Sequence, residues 1–288
     1  MLGWLWKLMG LYAAALLVGT VSLFATALPP GADPSGFSNL VIAHRGDALN
    51  FPENSVPAIA GAKRLGADAV EIDVMMTRDG VLVALHDASL ERTTNGTGRV
   101  ETQSWDTISK LQLRAPTAVG NTKGGPLANP AVRIPRLKQV IETVIAQNLK
   151  LEIEMKTEIP NKFQASQTLA ALFRQYNLYE RAFVSSFDPR FLYYLRNKDP
   201  KIVTAFAIKS NPPYGKLTEF IFRRDAFMDY LGASIIEPSM DVADEAFIRK
   251  WLGAGKAINV WTPNSSRQKA FYRQFPVSIT TDCPKSYC

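Results

Sequence analysis

From Leu40 to Thr281 short apolar runs alternate with amphipathic ones, and this alternation restricts the fold more than any other feature of the chain. Strands are expected at 40–43, 69–74, 150–156, 182–185, 202–207, 234–237, 258–261 and 277–281. A hairpin arm within 75–85 makes nine candidates. Helices are expected after 54, from 137 to 145, and at 162–176, 190–196, 216–228 and 243–252. A strand followed by a helix and a second strand builds a parallel sheet, because the crossover returns the chain to the same end. The chain has 288 residues, and its folded part is one domain of α/β-barrel size. A (β/α)8 TIM barrel needs eight strands, so one candidate, the hairpin arm or the weak run at 234–237, is not a stave.

The first β-α-β unit holds the chemistry. Val41 to Asp87 contains both histidines of the chain, His44 and His86, and between them Glu71-Ile-Asp73 places two acids in an apolar strand. Residues two apart on a strand share a face, so the acids can converge on one cation. A hairpin turning at Asp79 and Gly80 would set His86 opposite Asp73. Further on, 150–156 alternates strictly: Leu151, Ile153 and Met155 face one way, Glu152, Glu154 and Lys156 the other. A solvated edge would also alternate, but on the inner face of a barrel strand these polar groups mark a site. Residues 90–135 are rich in Gly and Pro with little periodicity, and are expected to form an insertion beside the active face.

Glu71, Asp73 and Glu154 offer oxygen ligands only, which suits Mg2+ or Ca2+ better than zinc. A cation beside Arg45 and Lys156 suits a phosphate. Two histidines on opposite sides can serve as base and acid, and a phosphodiester needs both, at its attacking and at its leaving oxygen. Asp47 and Asp87 are expected to orient neighbours or cap turns, and Glu53 and Asn54 to fix the loop after the first strand, with support of the metal ligands the alternative for Glu53. No Cys-x-x-Cys pair exists, and the two cysteines, Cys283 and Cys288, could pair or remain free. The net charge of +7 suits an anionic substrate or membrane surface, yet its scatter argues against nucleic acid.

At the N-terminus, 8–28 is an uncharged run of 21 residues, about 31 Å as a helix and enough to span a bilayer core. Lys7 precedes it and no basic residue follows until Arg45, which favours a single-pass anchor (1–28) with the bulk of the chain on the extracytoplasmic side. Ala25-Thr26-Ala27 leaves open a cleaved signal and a secreted or periplasmic product. Residues 29–38 read as a linker and 39–288 as the barrel domain.

His-Arg-Gly at 44–46, Pro-Glu-Asn at 52–54, Glu-x-Asp at 71–73, Thr-x-Asp-Gly at 77–80 and His-Asp at 86–87 together resemble the glycerophosphodiester phosphodiesterase family. The likeness continues through Leu-Glu-Ile-Glu-Met-Lys at 151–156, Ser-Ser-Phe-Asp at 185–188, Val-Trp-Thr at 260–262 and Thr-Asp-x-Pro at 281–284. It implies a (β/α)8 barrel with a small insertion. It also implies His44 and His86 as acid/base pair, Glu71, Asp73 and Glu154 as ligands of a divalent cation, Arg45 and Lys156 on the phosphate, and Trp261 along the glycerol side. Such enzymes cleave glycerophosphodiesters to glycerol 3-phosphate and an alcohol, through a cyclic phosphate in the family picture. The same residues on a membrane-held barrel would also suit a lysophospholipase D acting on lysophospholipids.

Overall fold

The computed structural model describes residues 31–116, 125–210 and 225–285. The apolar run at 8–28 lies outside them. Among the described residues no helix is long and apolar enough to cross a membrane.

The strands β1 (Val41–Ala43), β2 (Ala69–Met76), β3 (Leu82–Ala84), β4 (Lys150–Met155), β5 (Ala182–Ser186), β6 (Thr204–Ile208), β7 (Ile235–Pro238), β8 (Ala257–Trp261) and β9 (Ser278–Thr281) form one sheet. Its order is β1-β9-β8-β7-β6-β5-β4-β2-β3, and a β1–β2 pairing closes the ring. Eight parallel staves make the barrel; β3 alone is antiparallel, hung on the outer half of β2. The surplus strand is therefore the hairpin arm. The run at 234–237 is a full stave, Ile235–Pro238, paired on both sides.

Helices α1 (Val56–Arg64), α2 (Trp105–Ile108), α3 (Leu137–Ala146), α4 (Lys162–Tyr176), α5 (Pro189–Lys198), α6 (Asp225–Leu231), α7 (Glu245–Gly253) and α8 (Ser266–Tyr272) lie between the strands. Several start on a side chain that accepts from the backbone of the first turn: Ser55 for α1, Asp188 for α5, Asp244 for α7 and Ser265 for α8. Gly66, at φ +76°, follows α1 where a residue with a Cβ would be strained.

The hairpin differs from expectation by one residue. Thr77 N–H donates to Val81, Gly80 takes φ +83°, and three residues, Arg78 to Gly80, form the loop. That shift pairs Leu85, not His86, with Asp73. His86 follows just after the chain leaves the ladder.

Leu151, Ile153 and Met155 pack outward among buried residues of α3 and α4, which puts Glu152, Glu154 and Lys156 inside the barrel. The lower end is a separate apolar layer. Phe37 fills it, edge-on to Phe183 at 5.3 Å between ring centroids and packed with Ile42, Ala69, Val203 and Ile235. Ser278 Oγ accepts from Leu40 N–H and donates to Phe37 O. The segment leading into β1 thus lies across the end of the barrel opposite the site. Cys283, just past β9, is buried and disulfide-bonded.

Candidate active site

The upper ends of the strands surround a cavity of about 570 Å³ whose lining includes His44, Arg45, Glu71, His86, Glu154 and Lys156. All six come from the sequence-derived set. Trp261 lines it too, and Asp73 lies just beneath, fully buried.

β1 ends at Ala43, and His44 still holds the ladder through N–H to Thr281 O. Arg45 and Gly46 then take positive φ (57° and 82°), which turns the chain over the barrel mouth. A Cβ on Gly46 would lie 2.7 Å from the backbone of Ala58, so only glycine fits this turn. The turn aims Arg45 N–H at Glu71 Oε2, 2.9 Å away, and sets the guanidinium Nε 3.2 Å from Asp73 Oδ2.

Glu71 and Asp73 of β2 and Glu154 of β4 meet because Asp73 is in register with Glu154. One carboxylate oxygen from each lies within 4.8 Å of the others. Asp73 also accepts from Asn54 Nδ2 at 2.9 Å. Lys156 Nζ stands 3.2 Å from Asp73 Oδ1 and 2.8 Å from Glu154 Oε1. Burial opposes the charge of Asp73, but Lys156, His86, Arg45 and His44 outweigh it and hold this carboxyl well below the usual range. Glu71 is the reverse. Burial, with Asp73, Glu152 and Glu154 around it, pushes its carboxyl well above the usual range. Its Oε1 is buried and accepts no hydrogen bond. Oxygen-only donors, one of them unsatisfied and crowded by like charge, fit a hard divalent cation.

Each histidine has its Nδ1 against a carboxylate. His44 Nδ1 is 2.6 Å from Asp282 Oδ1, and His86 Nδ1 is 2.6 Å from Asp87 Oδ1. This contact orients each ring and leaves Nε2 for other partners. His44 Nε2 lies 4.0 Å from Glu71 Oε2. Asp87 is held in turn by Arg92, which also pairs with Glu53, and Glu53 accepts from Arg45. A continuous chain of charge therefore joins the two loops that carry Arg45 and His86. Asp87 orients His86 as expected, whereas Glu53 and Asn54 do more than fix their loop: Glu53 binds Arg45 and Arg92, and Asn54 binds the buried Asp73.

Three features escaped sequence reasoning. Asp282 lies in Thr-Asp-x-Pro at 281–284, and nothing local in that stretch marks it as the partner of His44, 238 residues away. Arg92 belongs to the insertion and reaches the site through Asp87 and Glu53; the insertion also sets Arg99 along the cavity. Beneath the acid cluster lies a polar floor, where Asn259 Nδ2 donates to Glu152 and Glu237 and Thr280 Oγ1 to Glu152. Glu152 shared the inner face of 150–156 with Glu154, so its orientation was legible; Glu237 and Asn259 had no signal beyond polarity within apolar strands. On one wall Trp261 packs edge-on to Phe187 at 5.7 Å and donates from Nε1 to Glu237 O.

Residues 44–286 match the model of the glycerophosphoryl diester phosphodiesterase family. This chain belongs to that family. It is an enzyme of the phosphoric diester hydrolase class, and the expected barrel and family stand. The chain is 29% identical over 252 residues to human glycerophosphodiester phosphodiesterase 1, covering 80% of this chain and 73% of that one. A glycerophosphodiester phosphodiesterase of Caldanaerobacter subterraneus is 40% identical over 149 residues, 52% of this chain and 58% of the relative. Among solved structures, a phosphodiesterase of Oleispira antarctica in complex with the product sn-glycerol-3-phosphate superposes with a TM-score of 0.71 at 24% identity, over 87% of this chain and 95% of that one.

Proposed function

We propose that this barrel hydrolyses glycerophosphodiesters to glycerol 3-phosphate and an alcohol, with His44 and His86 as its acid/base pair. The observation that carries the reading is the placement of two carboxylate-oriented imidazoles around one cluster of three acids and two cations. Glycerol 3-phosphate is the product held by the Oleispira relative, which supports the same product class here.

Arg45 and Lys156 bind and orient the phosphoryl oxygens. One histidine takes the proton of the attacking hydroxyl at Nε2; the other gives a proton to the leaving oxygen as its bond to phosphorus breaks. The Nδ1 carboxylates hold each ring in place and leave its Nε2 to take or give the proton. Glu71, Asp73 and Glu154 would hold the divalent cation, Mg2+ or Ca2+, and that ion would supply positive charge to the phosphoryl oxygens. Trp261 and Phe187 shield one wall of the cavity and give the carbon side of glycerol an apolar face.

The apolar run at 8–28 supports a single-pass anchor, with the barrel on the extracytoplasmic side. Purified full-length protein, supplied with magnesium or calcium, is expected to convert glycerophosphocholine to glycerol 3-phosphate and choline, followed by phosphorus NMR. Absence of any phosphodiester turnover with either ion would overturn the assignment.

A further inference from the structure

We infer that the lower end of the barrel is a membrane-facing surface for anionic lipid, and that the active-site mouth opens away from that bilayer toward water. The inference rests on the proposed function and on the proposed anchor, and it points the site toward substrate dissolved in the water rather than held in the same bilayer.

The path of the chain gives the orientation. From Gly31 onward the backbone lies against Gly232 and Ser234, and Ser234 Oγ donates to Ala32 O. Ser234 immediately precedes β7, so this attachment is at the strand N-terminal end. Only Pro29 and Pro30 separate the apolar run from that fixed point. The three steps from Leu28 to Gly31 reach at most about 11 Å, too little to carry the barrel round to present its other end. The site opens at the strand C-terminal end, beyond Lys156. From Lys150 to Lys156 along β4 is about 20 Å.

The charge of the lower end fits a lipid surface. In each unit the helix runs back antiparallel to the strands, so helix C-termini and strand N-termini share this end. Here a second cavity, of about 790 Å³, is lined by Lys63, Lys150, Arg181 and Lys201 against the acids Asp68 and Glu180. Arg64 and Lys198 add charge in the last turns of α1 and α5. Lys150 is partly spent over the Phe37 ring at 4.7 Å, and Arg181 donates to Leu149 O. Lys63 and Lys201 are exposed. Basic side chains at helix C-termini also complement the helix dipole. That role alone would not make them lose reactivity at a membrane, and the test turns on this difference.

The test uses full-length protein reconstituted in vesicles of phosphatidylcholine with and without phosphatidylglycerol, and in detergent. Brief treatment with a water-soluble amine-acetylating reagent is read lysine by lysine by mass spectrometry. In phosphatidylglycerol vesicles Lys63 and Lys201 are expected to react about fivefold more slowly than in detergent, with less protection in pure phosphatidylcholine. Lys209, exposed at the cavity mouth, should react equally in all three. Glycerophosphocholine added to the water should turn over as fast in vesicles as in detergent. Lysophosphatidylcholine placed in the same bilayer should turn over about tenfold more slowly than in detergent micelles. Shielding of Lys209, full reactivity of Lys63 and Lys201, equal protection in both vesicle types, or unimpeded turnover of the bilayer lysolipid would overturn the inference. Failure of the proposed activity would show separately, as no turnover in detergent, while the lysine pattern would still read out orientation.

Discussion

His44 Nδ1 lies 2.6 Å from Asp282 Oδ1, although 238 residues separate them in the chain. Barrel closure makes the contact: β1 pairs with β9, and each residue follows the last rung of its strand. Asp282 is further fixed by Asn264 Nδ2 at 2.6 Å. Burial works against its charge, yet the contact with His44 holds its carboxyl below the usual range. Asp282→Asn keeps the shape but loses the charge that sets the ring. Turnover of glycerophosphocholine is expected to fall between about 10- and 100-fold, the usual cost of losing the group that orients a site ligand. A melting temperature close to the parent's would show that the loss is not one of folding.

The histidines themselves should matter more. His44→Ala and His86→Ala are each expected to lower kcat by at least about 100-fold. Circular dichroism should show an unchanged fold, because both rings are partly exposed at the mouth and neither fills the core. Activity within a few-fold of the parent in either variant would remove that histidine from the reaction.

The barrel was legible because parallel staves buried on both sides must be apolar runs and their helices must be amphipathic. Glu71, Asp73 and Glu154 were legible because acids inside such runs are costly unless used. The hairpin register was missed by one residue. The turn has three residues, and a Gly at positive φ fits a two-residue or a three-residue turn equally well. Arg92 and Glu237 were missed for another reason. Their meaning lies in partners far along the chain, Glu53 at 39 residues for Arg92 and Asn259 at 22 for Glu237, and no local pattern encodes that pairing.

The floor of the site should impose a pH dependence on stability. Burial, with Glu154 and Glu71 nearby, pushes the Glu237 carboxyl from its ordinary 4.5 up to about 7. Its folded value is the higher one, so its contribution is fully present below about 4.5 and is lost as pH rises through about 7. The carboxyls of Asp73, Asp87 and Asp282 are held down instead, and their contributions are lost only as pH falls below the ordinary carboxylate range. Measured by calorimetry without divalent ions, the melting temperature should decline between about pH 5 and pH 7.5. Glu237→Gln should flatten that decline. An unchanged slope in the variant would mean that the floor does not hold the proton.

Glu71 offers a test of the cation that does not depend on turnover. Its Oε1 is buried without a hydrogen-bond partner, and three other carboxyls raise its proton affinity. In the parent, adding magnesium or calcium should raise the melting temperature, since an ion that binds only the folded state stabilises it by mass action. EDTA should reverse the rise and abolish activity. Glu71→Gln removes one ligand charge and relieves the repulsion among the acids. Without added ions this variant should melt at or above the parent's temperature; with them it should gain little. Opposed shifts of this kind separate a cation-binding carboxylate from one that merely supports the fold, whose loss would lower the melting temperature with or without the ion. A parent melting temperature indifferent to magnesium, calcium and EDTA would take the ion out of the site.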